Sequence, residues 1–122
     1  MLVRIGDFDV HSLSDGTFRL DGGAMFGVVP KVLWQRRMPA DPMNRVELGL
    51  RSMLIRTGRR NVLVDAGVGD KLSPREVHIY GLDRTRRLVG SLAALGMTPH
   101  DIDIVIATHL HLDHAGGFTT PD

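Results

Sequence analysis

Cysteine is absent from the 122-residue chain, which excludes disulfides, zinc–thiolate sites, iron–sulfur clusters and thiol nucleophiles. Any metal here must be held by nitrogen and oxygen. No charge of one sign dominates: 15 basic side chains face 14 acidic ones, so the electrostatic footprint of a nucleic-acid binder is missing. Long apolar runs are missing too. None approaches the ~18 residues of a membrane span, and the start MLVRIGDFDV lacks the apolar centre of a signal peptide. These absences make the cytoplasm the expected compartment and leave nucleic acid and membrane out of the expected partners. What is present, 43% apolar and 24% charged residues over one domain's length, describes a folded globular chain.

The stretch Leu2–Leu20 alternates apolar and polar positions (Val3, Ile5, Phe8, Val10, Leu13), which predicts half-buried strands in a meander, with Ser14-Asp15-Gly16 as a turn. Residues 21–45, rich in Gly, Pro and Met, read as an irregular surface segment. Its Met25, Phe26, Val28, Val29, Leu33 and Trp34 are expected to cap the core, and Phe26 and Trp34 are candidate walls of a substrate pocket. Ser52–Arg56 and Asn61–Asp65 are β-prone runs around Thr57-Gly58-Arg59-Arg60, which predicts a β-hairpin. Its second strand delivers Asp65 to the strand tip, where a carboxylate can reach a site. Residues 71–83 read as a polar connection. Leu88, Leu92 and Leu95 then predict one amphipathic helix of about 12 to 14 residues, N-capped by Asp83 and stopped at Gly96, with Arg84, Arg86 and Arg87 solvated in its first turn. Ile102–Ala107 reads as a buried central strand. The order of elements predicts an α/β layered protein with a mixed sheet, a hairpin and one main helix.

Directly after that strand stands Thr108-His109-Leu110-His111-Leu112-Asp113-His114-Ala115-Gly116-Gly117, which packs three of the six histidines and an aspartate into six positions. In an extended segment His109 and His111 face the same way and can ligate one ion, while Leu110 and Leu112 face the interior. Asp113 and His114 serve a neighbouring position if the extended run ends there, which Ala-Gly-Gly permits. Two such clusters are what a dinuclear site requires. Nitrogen and oxygen donors without sulfur favour zinc, with manganese, iron and cobalt as alternatives. Without a cation, three imidazoles and a carboxylate at a strand mouth gain little from being gathered. His11, His78 and His100 stand alone beside charged or turn residues and are expected to be solvated or hydrogen-bonded.

THLHLDHAGG after an apolar strand, with NVLVDAGVGD upstream, resembles the metallo-β-lactamase superfamily of hydrolases and its αββα fold. The stretches DGTFRLDGGAMFGVVPKVLW and NRVELGLRSMLIRTGRRNVLVDAGVGDK resemble the branch that contains N-acyl-homoserine lactone lactonases and hydrolases similar to methyl parathion hydrolase. The resemblance implies that His109 and His111 ligate a first zinc ion and Asp113 and His114 a second. It also implies that Asp65 orients the metal loop without touching the ions, and that Asp113 accepts or relays a proton. The implied reaction is attack of a metal-activated hydroxide on a lactone, ester or phosphotriester of a small-molecule substrate. A thioesterase resembling glyoxalase II, or a non-catalytic interaction module with a vestigial site, are the alternatives.

The family draws further ligands from sequence downstream of this motif, whereas AGGFTTPD here contains no histidine. Residues 1–122 are therefore expected to be the N-terminal portion of a metallo-β-lactamase-like domain, half of the sandwich. The ligand set would be completed by the absent C-terminal half, as a complementing chain or in a longer protein, or across a homo-oligomer interface. Uncompleted, the chain alone is expected to be inactive and to expose a sheet face.

Overall fold

Alternating apolar residues do form strands at the start of the chain, and the strands run further than their local pattern suggests. The computed structural model describes residues 1–121. In it, β1 (Leu2–Ile5) turns through Gly6 and Asp7 into β2 (Phe8–Asp21), which pairs antiparallel with β3 (Arg45–Arg56) from Asp9 to Asp21. The expected hairpin joins β3 to β4 (Asn61–Val64), with Met53 opposite Val64 and Arg56 opposite Asn61. Finally β5 (Ile104–Ile106) adds parallel to β4, giving a five-stranded mixed sheet in the order β1-β2-β3-β4-β5.

Ser14-Asp15-Gly16 is not a turn. It is a bulge inside β2, where the register against β3 shifts between Ser14 and Gly16 and leaves Asp15 out of the ladder. The carboxylate so displaced is 1% exposed. Residues 21–45 are also more regular than expected. They hold two short helices, α1 (Gly22–Phe26), capped by Asp21 through the Ala24 amide at 2.9 Å, and α2 (Lys31–Trp34). Of the six apolar residues expected to cap the core, only Trp34 is buried, while Val28, Val29, Met25 and Leu33 stay exposed because these helices are too short to cover them.

Helix α3 (Pro74–Ile79) occupies the stretch read as a polar connection. A capping box starts it: Ser73 Oγ accepts from the Glu76 amide, and Glu76 accepts from the Ser73 amide at 2.8 Å. The main amphipathic helix is shorter than its apolar spacing implied. α4 spans Leu88–Ala93, with Arg87 at its N-cap. Asp83 instead accepts from Thr85 N at 2.8 Å and bridges to Thr17, which holds residues 83–87 out of the helix. Arg84 is thereby folded inward onto Asp15 and is not solvated.

One sheet face carries Leu13, Leu54 and Leu63, on which Leu88 and Leu92 of α4, Ala66 and Met97 pack. Each of these leucines, and Met97, contributes about 1.5–3 kcal/mol when taken from water. A second cluster of Phe18, Leu50 and Val68 continues this face toward α3. The register puts Val10, Ile55, Val62 and Ile104, and beside them Ser12, Met53, Val64 and Ile106, on the opposite face. β5 was expected to be buried. All three of its residues are instead exposed, because it is the sheet's last strand and α4 reaches only as far as β4. Among the described residues no helix is long and apolar enough to cross a membrane.

Candidate metal site

Parallel pairing of β4 and β5 brings two strand ends together, so whatever follows Val64 lies beside whatever follows Ile106. The first residue beyond β4 is Asp65, whose amide donates to the Ile106 carbonyl at 2.9 Å and whose backbone adopts φ +58°. A left-handed aspartate costs about 1–3 kcal/mol unless its surroundings fix it. They do so here through the carboxylate. Asp65 Oδ1 accepts from the Thr108 amide at 2.8 Å, the Thr108 hydroxyl lies 2.8 Å from Oδ2, and His114 Nδ1 lies 2.8 Å from Oδ2. Burial pushes the Asp65 pKa up as the largest single influence. The hydrogen bonds from His114 and Thr108 together outweigh it, so the carboxyl stays ionised below its ordinary 3.8.

Proton counting along this network assigns the ring nitrogens. The Thr108 hydroxyl has one proton, which goes to the Asp65 carboxylate, so at 3.0 Å from His109 Nδ1 its oxygen accepts from that ring. His114 Nδ1 likewise donates to Asp65. Both imidazoles are thus tied at Nδ1, which leaves Nε2 as the lone-pair nitrogen. A carboxylate or hydroxyl behind the far nitrogen is the arrangement that orients and strengthens an imidazole ligand.

The extended run ends one residue earlier than the motif suggested. His111 is already the N-cap of α5 (Leu112–Ala115), and its carbonyl accepts from the His114 and Ala115 amides at 3.0 and 2.9 Å. A helical turn, not the glycines, therefore swings Asp113 and His114 around. Leu110 and Leu112 do not face the interior: Leu110 is 81% exposed, since the segment leaves the sheet at Ala107. Even so, the three imidazoles gather, with ring centroids 4.6 Å apart for His109 and His111 and 4.0 Å for His109 and His114. Asp113 Oδ2 is 3.3 Å from His114 Nε2.

This donor set, three imidazoles beside one carboxylate, fits a borderline divalent ion. It is clustered without being closed. Among the described residues no three or more His, Asp or Glu side chains are arranged to hold one ion, and the Asp113 carboxylate lies beside His114 Nε2 at 3.3 Å. Phe26 and Trp34 stack on each other, centroids 4.9 Å apart and 14° from parallel, with the Trp34 ring filling the space beside Gly22. His78 and His100 are exposed and His11 is half-buried within β2. One contributor was not foreseen: Thr108, whose place between strand and histidine is its only local signal.

The pattern of the metallo-beta-lactamase superfamily matches residues 48–120, more than half of the chain. Among solved structures, a probable metal-dependent hydrolase from Staphylococcus aureus is 42% identical, with a TM-score of 0.90 over 97% of this chain. The dizinc quorum-quenching lactonase AidC, in complex with a product, superposes with a TM-score of 0.75 over 98% of this chain at 22% identity, a likeness of fold. Among curated proteins, the cytochrome P450 monooxygenase mpaDE of Penicillium roqueforti is 29% identical over 112 residues. This chain spans 43% of the Staphylococcus protein, 39% of the lactonase and 13% of the fungal protein. With its mixed sheet, its histidine-rich loop after a parallel strand and the Asp65 anchor behind that loop, the chain belongs to the metallo-beta-lactamase superfamily.

Proposed function

We propose that the chain carries half of the active site of a metal-dependent hydrolase that opens a lactone or small ester. The observation that carries this reading is the Asp65 network, which ties His109 and His114 at Nδ1 and leaves Nε2 of each for an ion. His109 and His111 would hold one ion, zinc by donor chemistry, and Asp113 with His114 would hold a second. Ions so held would lower the pKa of water toward neutrality and polarise the scissile carbonyl.

The chain's own residues supply orientation and proton transfer. Asp65 stays ionised and acts only through Thr108, His109 and His114. Asp113, a quarter exposed and beside His114 Nε2, would take up and return the proton released when water attacks. The half-exposed Phe26 ring, backed by buried Trp34, would give an apolar wall to the substrate's acyl part. Completion of the ligand set falls to the complementing C-terminal half, with a second copy of the chain as the alternative. Exposed β5 favours a partner that continues the sheet. The test is hydrolysis of an N-acyl homoserine lactone, an aryl phosphotriester and a glutathione thioester by the zinc-loaded chain joined to such a half. Lactone opening that vanishes in His109→Ala and survives in His100→Ala is expected. Preferred thioester cleavage would instead mark a glyoxalase II-like enzyme, and no turnover with zinc retained would leave a binding module.

A further inference from the structure

The deepest carboxylate among the described residues lies outside the histidine cluster. Asp15, displaced from β2 by the bulge, uses both oxygens. Oδ1 accepts from the Leu88 amide at 2.9 Å and from Arg84 Nη2 at 3.0 Å, and Oδ2 accepts from the amides of Val68 at 2.9 Å and Gly69 at 3.4 Å. Arg84 also donates to the Gly69 carbonyl. Residues 65–69 are therefore gripped from one side at both N–H and C=O groups.

Their other side is fastened to the metal loop. Ala66 N donates to the His114 carbonyl at 2.8 Å, and Gly117 N donates to the Gly67 carbonyl at 3.1 Å. Packing leaves no slack: a Cβ on Gly117 would overlap the Ala66 carbonyl, one on Gly116 the Val68 carbonyl, and one on Gly67, at φ +68°, the Asp15 carboxylate. A strap held this tightly on both sides transmits any shift of its support to residues 114–117. An apolar side chain at position 15 could fill the volume, but it would leave three amides unpaired unless the strap took another course. The carboxylate thus specifies the strap's path.

We propose that Asp15, with Arg84 as its counter-ion, is a positioning residue for the metal site, acting on His114 through the strap 65–69 without touching any ligand. This rests on the metal reading above and is tested so that the two can fail separately. Amide hydrogen exchange is measured on the metal-free chain and on Asp15→Asn, followed by zinc titration against a chromophoric chelator. Exchange at Val68, Gly69 and Leu88 is expected to accelerate together with that at Ala66 and Gly117, while Leu54 and Val46 in β3 keep their protection. Zinc affinity is expected to fall about tenfold, the scale found for groups behind a ligand. Arg84→Lys, which keeps a cation at Asp15, serves if Asp15→Asn does not fold, with the same amides responding less. Acceleration confined to the three direct donors, or spread evenly through β2 and β3, with zinc affinity unchanged, overturns the proposal. A wild-type chain that takes up no zinc even when joined to the complementing half removes the metal reading, and the exchange pattern still decides whether Asp15 controls the loop.

Discussion

Leu54, Leu63 and Val105 lie side by side across β3, β4 and β5 on one face of the sheet, yet their exposures are 0%, 5% and 50%. Sequence does not separate them, for each sits in an apolar β-prone run. Cover does. Leu88 and Leu92 of α4, with Met97, close over Leu54 and Leu63 and leave Val105 at their margin. An apolar run therefore records a need for burial without saying where the covering surface comes from.

The comparison can be broken by mutation. Leu54→Ala should cost the most, about 2–5 kcal/mol in urea unfolding, because it opens a cavity under α4. Gly67→Ala should follow at about 1–3 kcal/mol, since a side chain is strained at that backbone angle and meets Asp15. Val105→Ala should cost less than about 1 kcal/mol in the isolated chain, the loss of two half-exposed methyl groups. A Val105→Ala cost rivalling that of Leu54→Ala would mean that β5 is buried in solution by another chain. The smallest effect concerns acid. The Asn61 amide, foremost, and Arg60 hold the Asp103 carboxyl below its ordinary 3.8 against a smaller desolvation effect. A carboxyl lowered on folding stabilises the fold above its unfolded pKa and ceases to do so as pH falls through the folded value. The unfolding midpoint should be level from pH 7 to about 5 and decline below about 4, slightly less steeply in Asp103→Asn.

The same contrast explains what the sequence disclosed. The β3–β4 hairpin was legible because two short β-prone apolar runs flanking Thr57-Gly58-Arg59-Arg60 are a local signal. The histidine cluster was legible because its donors are neighbours in the chain. α3 was overlooked although Ser73 and Glu76 spell a capping box, since its helix buries no side chain and shows no apolar stripe. Asp15 was misread because Ser-Asp-Gly resembles a turn in isolation, and its partners lie 53 to 73 residues away. The start of α4 was misplaced for a related reason: Asp83 looks like an N-cap, but it is engaged with Thr85 and Thr17. Long-range pairing decided each of these last two cases.

Zinc titration of the chain joined to the complementing C-terminal half, comparing wild type with His109→Ala, His111→Ala and His100→Ala, addresses the central claim most directly. Binding that is lost in the first two variants and retained in the third is the expected result. Equal affinity in all four proteins would contradict the account, because the gathered imidazoles would then have no part in holding a cation.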